Sequence, residues 1–287
     1  MKKQFMLIAL VAAVLCGCND KNAPSATVSL FPGELSGEFS VSATTKVHFS
    51  KGNLQATYDG STWTWSFATN QWDYIGNAAA NNAINGNGTA SSNGTVDLFG
   101  WSTASTYYGI NNSTSNSSYL GDFVDWGNNP ITNGGNKANM WRTLTKDEWV
   151  YLFETRTDAV NKYGAAKVND IPGVVLLPDN WTLPSGCGFT AGMITTSSWN
   201  NVPSTNMYDD DANQWSKMEK AGAVFLPAAG KRYNTNVTDV NSEGCYWSSI
   251  IFAPIGAYYL YFRADKLDSW YYYNQRRFDG QSVRLVR

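Results

Sequence analysis

Gly244-Cys245-Tyr246-Trp247-Ser248-Ser249-Ile250-Ile251-Phe252-Ala253-Pro254-Ile255-Gly256-Ala257-Tyr258-Tyr259-Leu260-Tyr261-Phe262-Arg263 is the stretch that decides the fold class. Its two aromatic and β-branched runs predict strands over 246–252 and 257–263, and a third is expected over 282–286. In the second run, Tyr258, Leu260 and Phe262 share one parity and are read as inward-facing. Tyr259, Tyr261 and Arg263 share the other and are read as outward-facing. The end of the chain is rich in rings: 12 of the 43 residues from Cys245 to Arg287 are aromatic, against 29 of the 244 before them. Trp270-Tyr271-Tyr272-Tyr273-Asn274 is too aromatic and too consecutive to bury whole. Tyr and Trp with a few charged or amide groups make up the usual composition of a recognition surface, and so large a patch is rarely left in water without a use.

Upstream of that stretch, strands are predicted over 41–49, 63–67, 173–177 and 223–227. Thr145-Lys146-Asp147-Glu148 reads as a capping box, and Trp149, Leu152 and Phe153 fall on one helical face. A second helix is expected over 212–221. Asp209, Asp210 and Asp211 would stand at the positive end of its dipole, Trp215 and Met218 would be buried, and Gly222 would end it. Residues 77–136 are rich in Gly, Asn, Ser and Thr but punctuated by Phe99, Trp101, Tyr107, Tyr108 and Trp126. That pattern predicts ordered loops pinned by buried rings. Two helices early and strands late indicate an α+β fold with short antiparallel strands and long ordered loops.

The N-terminus carries an export signal. Lys2 and Lys3 precede an apolar run over 5–15, and Leu15-Cys16-Gly17-Cys18 follows, so residues 1–17 read as a lipoprotein signal peptide and Cys18 as the lipidated residue. Residues 18–40 read as the lipidated cysteine with its tether, and 41–287 as a single domain with an elaborated N-terminal part. A lipid on Cys18 would tie the chain to a membrane, with the outer membrane and the cell surface as the expected location. The net charge is −2, and the Lys and Arg residues do not cluster. That argues against nucleic acid as a partner.

Cys187 and Cys245 are the cysteines left to the mature body. Either one disulfide or two buried thiols is compatible with their spacing. His48 is the only histidine and lies in a strand-like segment, so a structural or surface role is the default. The Asp209–Asp211 run is better explained as a helix cap than as a calcium site. No cofactor and no metal is expected.

Several motifs in order resemble the C-type-lectin-like module of Bacteroidetes lipoproteins. They are Trp141-Arg142-Thr143-Leu144-Thr145 with Glu148-Trp149, Leu177-Pro178, Leu226-Pro227-Ala228-Ala229-Gly230-Lys231-Arg232, and Gly244-Cys245-Tyr246-Trp247-Ser248-Ser249. Arg277, Gly280 and Ser282-Val283-Arg284-Leu285-Val286 complete the series, and Asp97-Leu98-Phe99-Gly100-Trp101 extends it weakly upstream. The module is similar in fold to formylglycine-generating enzymes and to variable proteins diversified by retroelements. The resemblance implies a C-type-lectin-like fold.

In the diversified relatives the varied positions follow the Tyr-Trp-Ser-Ser motif and typically arise from asparagine codons. Carried over, they are Ile250, Ile251, Phe252, Tyr259, Tyr261, Arg263, Asp265, Tyr271, Tyr272, Tyr273, Phe278 and Asp279. Trp270, Lys266 and Gln275 cannot arise from an asparagine codon by changing adenines alone. With Trp270 and Asn274 added, the twelve positions form the expected ligand-binding set, facing an extracellular protein or glycan. The enzymes of the family use two cysteines close together near the C-terminus. Cys187 and Cys245 are not such a pair, so no catalytic residue carries over and a non-enzymatic binding protein is expected. An enzyme of altered chemistry and a structural subunit of a surface assembly are the alternatives.

Overall fold

The structure, a computed structural model, describes residues 30–59, 61–76, 94–102, 121–209, 214–233, 236–254, 256–271 and 276–287. Within them the architecture is α+β and mostly β, with short strands in small sheets and two α-helices.

Near the start, β1 (Phe39–Ser40) pairs with β2 (Lys46–Val47), and β3 (Leu54–Tyr58) lies between β4 (Trp63–Phe67) and β5 (Gly94–Val96). Strand β6 (Arg142–Thr143) leads into α1 (Lys146–Val150), and a π turn over Tyr151–Thr155 follows. A four-stranded sheet comes next, built from β7 (Tyr163–Val168), β8 (Ile171–Leu176), β9 (Met207–Tyr208) and β10 (Val224–Pro227) in the order β10-β8-β7-β9. Helix α2 (Gln214–Lys220) precedes β10, and β11 (Lys231–Tyr233) pairs with β12 (Asn236–Thr238). Strands β13 (Glu243–Phe252), β14 (Gly256–Arg263) and β15 (Lys266–Tyr271) form the sheet that carries the aromatic end. Finally β16 (Leu285–Val286) returns to β6. The pairings of these sheets are antiparallel except β7 with β9.

Local chemistry explains the best-defined elements. Thr145 Oγ1 accepts from the Glu148 amide at 3.2 Å, and the Glu148 carboxylate accepts from the Thr145 amide at 2.8 Å, the expected capping box. Glu148 also takes a two-pronged contact from Arg142 at 2.8 and 2.6 Å. The β7–β8 hairpin turns on Asn169 and Asp170 alone, and both adopt positive φ (48° and 63°), which Asn and Asp tolerate best among non-glycine residues. Gly244 is required because a Cβ there would run into the ring of Phe262.

Three clusters of buried apolar side chains hold the elements together. The first gathers Leu35, Phe39, Phe49, Trp149, Phe153, Leu176, Leu226, Tyr246, Leu260 and Phe262. The second gathers Trp65, Phe67, Phe99, Trp101, Trp126, Trp141, Trp247, Tyr259 and Leu285. The third joins Val175, Tyr208, Trp215, Met218 and Phe225. Phe99, Trp101 and Trp126 are buried as expected, while residues 77–93 and 103–120, with Tyr107, Tyr108 and most of the expected ordered loops, lie outside the described residues.

Several sequence expectations change. Residues 30–40 are part of the folded body rather than the end of a tether: Leu35 and Phe39 are buried, and the Glu38 carbonyl accepts from the Asp179 amide at 2.9 Å. The expected strand over 41–49 is broken, because Ser42 Oγ accepts from the Thr45 amide at 3.0 Å and turns the chain. The expected strand over 282–286 is a ladder only at Leu285–Val286, since Ser282 bridges Tyr246 and the Val283 carbonyl accepts from Leu54. The second helix is seen from Gln214, with Trp215 and Met218 buried and Gly222 at φ 97° just past its end. Residues 210–213, with Asp210 and Asp211, lie outside the described residues.

A buried polar knot ties segments distant in sequence together. Arg284, only 1% exposed, donates to Asn53 Oδ1 (3.3 Å), the Lys51 carbonyl (3.3 Å) and Gln71 Oε1 (2.8 Å). Gln71 also accepts from the Phe225 amide at 2.7 Å and donates to the Ala223 carbonyl at 3.1 Å and to Glu219 at 3.0 Å. Gln71→Leu would leave Arg284, the Phe225 amide and the Ala223 carbonyl short of partners in a dry interior. The expected loss, read as a shift in the chemical denaturation midpoint, is about 3 kcal/mol. An unchanged midpoint would show that the knot contributes nothing net.

Candidate binding surface at the end of the β13–β14–β15 sheet

The sheet is clamped from both sides along most of its length. On β13, Tyr246 enters the first core and Trp247 the second; on β14, Leu260 and Phe262 enter the first while Tyr259 and Tyr261 enter the second. The indole N–H of Trp247 donates to the Phe99 carbonyl at 2.7 Å, and that of Trp101 to the Ser248 carbonyl at 2.8 Å. Helix α1 lies against all three strands.

Past the rung Trp247–Tyr259–Tyr271 the sheet leaves these cores. The β13–β14 register shifts between Trp247 and Ile251 and resumes as Ile251 opposite Ala257 and Phe252 opposite Gly256, a bulge that re-aims the side chains beyond it. Ile250, Ile251 and Phe252 are exposed to 40, 47 and 36%, and Trp270 at the end of β15 to 45%. Phe252 meets Tyr258 edge-on at 5.3 Å, and the Lys146 ammonium stands 5.3 Å from the centre of the Tyr258 ring. Arg276 pairs by backbone with Gly256 and holds its guanidinium 5.6 Å from the Tyr233 ring and 5.3 Å from Phe278.

Tyr271 joins this surface to the core. It is half-buried, stacks on Tyr261 at 4.9 Å, and meets Tyr259 edge-on at 5.4 Å. The Lys266 ammonium lies 5.0 Å from the Tyr271 ring. Tyr261 donates its hydroxyl proton to Glu243 at 2.8 Å, and burial together with that carboxylate pushes the phenol's pKa up, so it stays neutral. Arg263 is exposed and pairs with Asp265 at 2.8 Å, and Lys266 pairs with Asp268 at 2.7 Å.

The outward reading of Tyr259 and Tyr261 is therefore overturned, and Phe278 and Asp279 are likewise buried. Parity sorted the two faces of β14 correctly. Both faces are core, however, so alternation chose between two interiors rather than between interior and water. The structure brings Ile250, Ile251, Phe252, Trp270 and Tyr271 to one end of the sheet, with Arg263 and Asp265 at the opposite turn. Tyr272, Tyr273, Asn274 and Cys18 lie outside the described residues. The sequence reading missed β15, Lys146 and Arg276. The strand had a weak signal in Leu267 and Ser269 alternating with Lys266, Asp268 and Trp270; Lys146 had none because it comes from far upstream, while Arg276 lay within the expected stretch but was not singled out.

Other candidate groups are placed as follows. His48 Nδ1 lies 3.1 Å from the Leu35 carbonyl, and the His48 backbone exchanges hydrogen bonds with Arg287, a structural position. Among the described residues no three His, Cys, Asp or Glu side chains converge as a metal site would need. Two open hollows lie elsewhere. One, of about 440 Å³, lies beside Asn169, Asp170 and Asp209; the other, of about 670 Å³, lies beside Glu34, His48, Lys51 and Lys220. Neither touches the aromatic end. No helix of the described residues is long and apolar enough to cross a membrane. Comparison with known proteins finds no matching family model, curated protein or solved structure.

Cys187 and Cys245 are both free. Cys245 is buried in the second core, where burial pushes its thiol pKa up, while Cys187 is only partly buried beside the third core. In residues 19–287 a thiol reagent is expected to modify Cys187 under native conditions and Cys245 only after denaturation. Native protection of both, with a mass lower by two hydrogens, would instead mean that they pair.

Proposed function

We propose that this chain is a lipid-anchored binding protein at the cell surface. Its recognition surface is the exposed end of the β13–β14–β15 sheet, and its ligand is an extracellular protein or glycan. The observation that carries the reading is the grouping of Ile250, Ile251, Phe252 and Trp270, all exposed, at one end of a sheet whose strands β13 and β14 are buried on both faces over Cys245–Trp247 and Tyr259–Phe262. A rigid base with a few large exposed side chains loses little rotamer freedom on binding, which favours recognition. The charged groups around the sheet are paired among themselves, Arg263 with Asp265, Lys266 with Asp268 and Lys146 with Asp147. Such pairs suit orientation of a partner better than proton transfer, which favours binding over catalysis.

The finer fold reading is a C-type-lectin-like body. Its support is the order of the motifs and the burial of their members Trp141, Trp149, Leu226, Tyr246, Trp247 and Arg284. Retroelement-type variation, if it operates here, has a narrower range than the resemblance implies. Ile250, Ile251, Phe252, Arg263 and Asp265 reach solvent and can change without opening a core, whereas Tyr271 is half-buried against the second core. Tyr259, Tyr261, Phe278 and Asp279 cannot change in that way.

The test is binding of unlipidated residues 19–287 to a glycan array and to intact bacterial and host cells. Trp270→Ala is expected to weaken binding by at least about tenfold while the unfolding midpoint holds, the behaviour of an anchor residue in an interface. Tyr259→Ser serves as the contrast, with an expected stability loss of about 3 kcal/mol from a truncated core ring. Full binding by folded Trp270→Ala would move the recognition site off this sheet.

A further inference from the structure

We infer that the tip of the β13–β14 hairpin docks on an anionic lipid bilayer. Residues 244–262 carry no charged side chain, and at the turn Ile250, Ile251, Phe252, Ala253 and Pro254 are all exposed. Ile251 and Phe252 pair across the hairpin with Ala257 and Gly256, so on that side the backbone can leave water without orphaned polar groups. One step behind the tip stand Tyr258 and exposed Trp270, rings with a polar end that suit the boundary between hydrocarbon and headgroups. The Lys146 ammonium stands over the Tyr258 ring, and the backbone of Arg276 bridges Gly256 while its guanidinium lies against Tyr233 and Phe278. Asp147 answers Lys146 at 3.0 Å, so the attraction to anionic headgroups falls mainly to Arg276.

The exposed tip is thus apolar, with Ile250, Ile251 and Phe252, and the half-buried Tyr258, the exposed Trp270 and the basic Lys146 and Arg276 lie behind it along the sheet, a composition suited to the bilayer interface. At the turn itself the aliphatic side chains of Ile250 and Ile251 suit an acyl chain, which leaves the exposed Trp270 ring to the protein or glycan contact of the proposed function. The depth reached would be that of an interfacial element, about 5–10 Å. The tether agrees with this in one respect, which rests on the lipid-anchor reading. Eleven residues separate Cys18 from Leu30, and so short a segment spans at most about 40 Å. The body is thereby held close to the membrane that anchors it.

The experiment uses residues 19–287, which lack the lipid and contain every described residue, sedimented with vesicles of phosphatidylglycerol in phosphatidylcholine and with phosphatidylcholine alone. The unaltered protein is expected to bind the phosphatidylglycerol vesicles, with Trp270 fluorescence quenched by brominated acyl chains and the quenching lost in Trp270→Phe. Changing Ile250, Ile251 and Phe252 together to serine is expected to weaken partitioning at least about tenfold. Arg276→Gln is expected to weaken it about fivefold on anionic vesicles and not on neutral ones. Circular dichroism and the unfolding midpoint confirm that each variant folds. If the unaltered protein ignores phosphatidylglycerol vesicles, or the folded serine variant binds them equally well, the bilayer inference is wrong. If vesicles are ignored while the serine variant loses binding to cells or glycans, the tip is a protein or glycan contact, and the recognition reading stands without the bilayer. Vesicle binding lost with the tip, in a protein whose cell and glycan binding is indifferent to Trp270, supports the bilayer and removes the recognition reading.

Discussion

Tyr246 and Trp247 are neighbours in the chain and lie in different hydrophobic cores, because successive side chains of a strand point to opposite faces. The same division runs along β14, where Leu260 and Phe262 fill one interior and Tyr259 and Tyr261 the other. Other elements cover these two faces: α1, the sheet of β7, β8 and β10 and the segment from Leu35 to Phe49 on one, and β3, β4 and the Phe99–Trp101 segment on the other. A sheet buried on both sides needs a long, loop-rich chain to cover it. That need accounts for the indole hydrogen bonds to backbone carbonyls at Phe99 and Ser248, which join distant loops to β13.

Two-sided burial leaves backbone and polar groups in the interior, and they are answered by long side chains. Arg284 and Gln71 bring together Lys51, Asn53, Ala223 and Phe225, segments far apart in sequence. Arg156 does the same for the π turn, donating to the Leu152 and Leu177 carbonyls and pairing with Asp179 at 3.2 Å. Each such group is expensive to desolvate and specific once satisfied, so these knots select one arrangement of loops among many that would bury similar apolar area.

The same constraint locates the candidate surface. A strand pair covered on both faces can show large side chains to water only where it outruns its cover, and β13 and β14 do so past the bulge after Trp247. Tyr271 then transmits the rigidity of the core outward through its contacts with Tyr259 and Tyr261. The exposed residues beyond it stand on a fixed base, so their substitution alters what is contacted more than whether the chain folds.

Much of this was legible in the residues alone. Thr145 and Glu148 specify a helix start by local hydrogen bonding, Trp149, Leu152 and Phe153 specify its buried face, and the aromatic alternation of 257–263 specifies a strand with two distinct sides. These are properties of neighbouring residues. The tertiary structure decided what neighbouring residues cannot: that both sides of β14 are interior, that residues 30–40 join the body, that Cys187 and Cys245 stay apart in different cores, and that Lys146 and Arg276 stand beside the same exposed tip. Whether a tyrosine on a strand meets water depends on which segments from elsewhere in the chain cover it, and alternation within the strand carries no record of them.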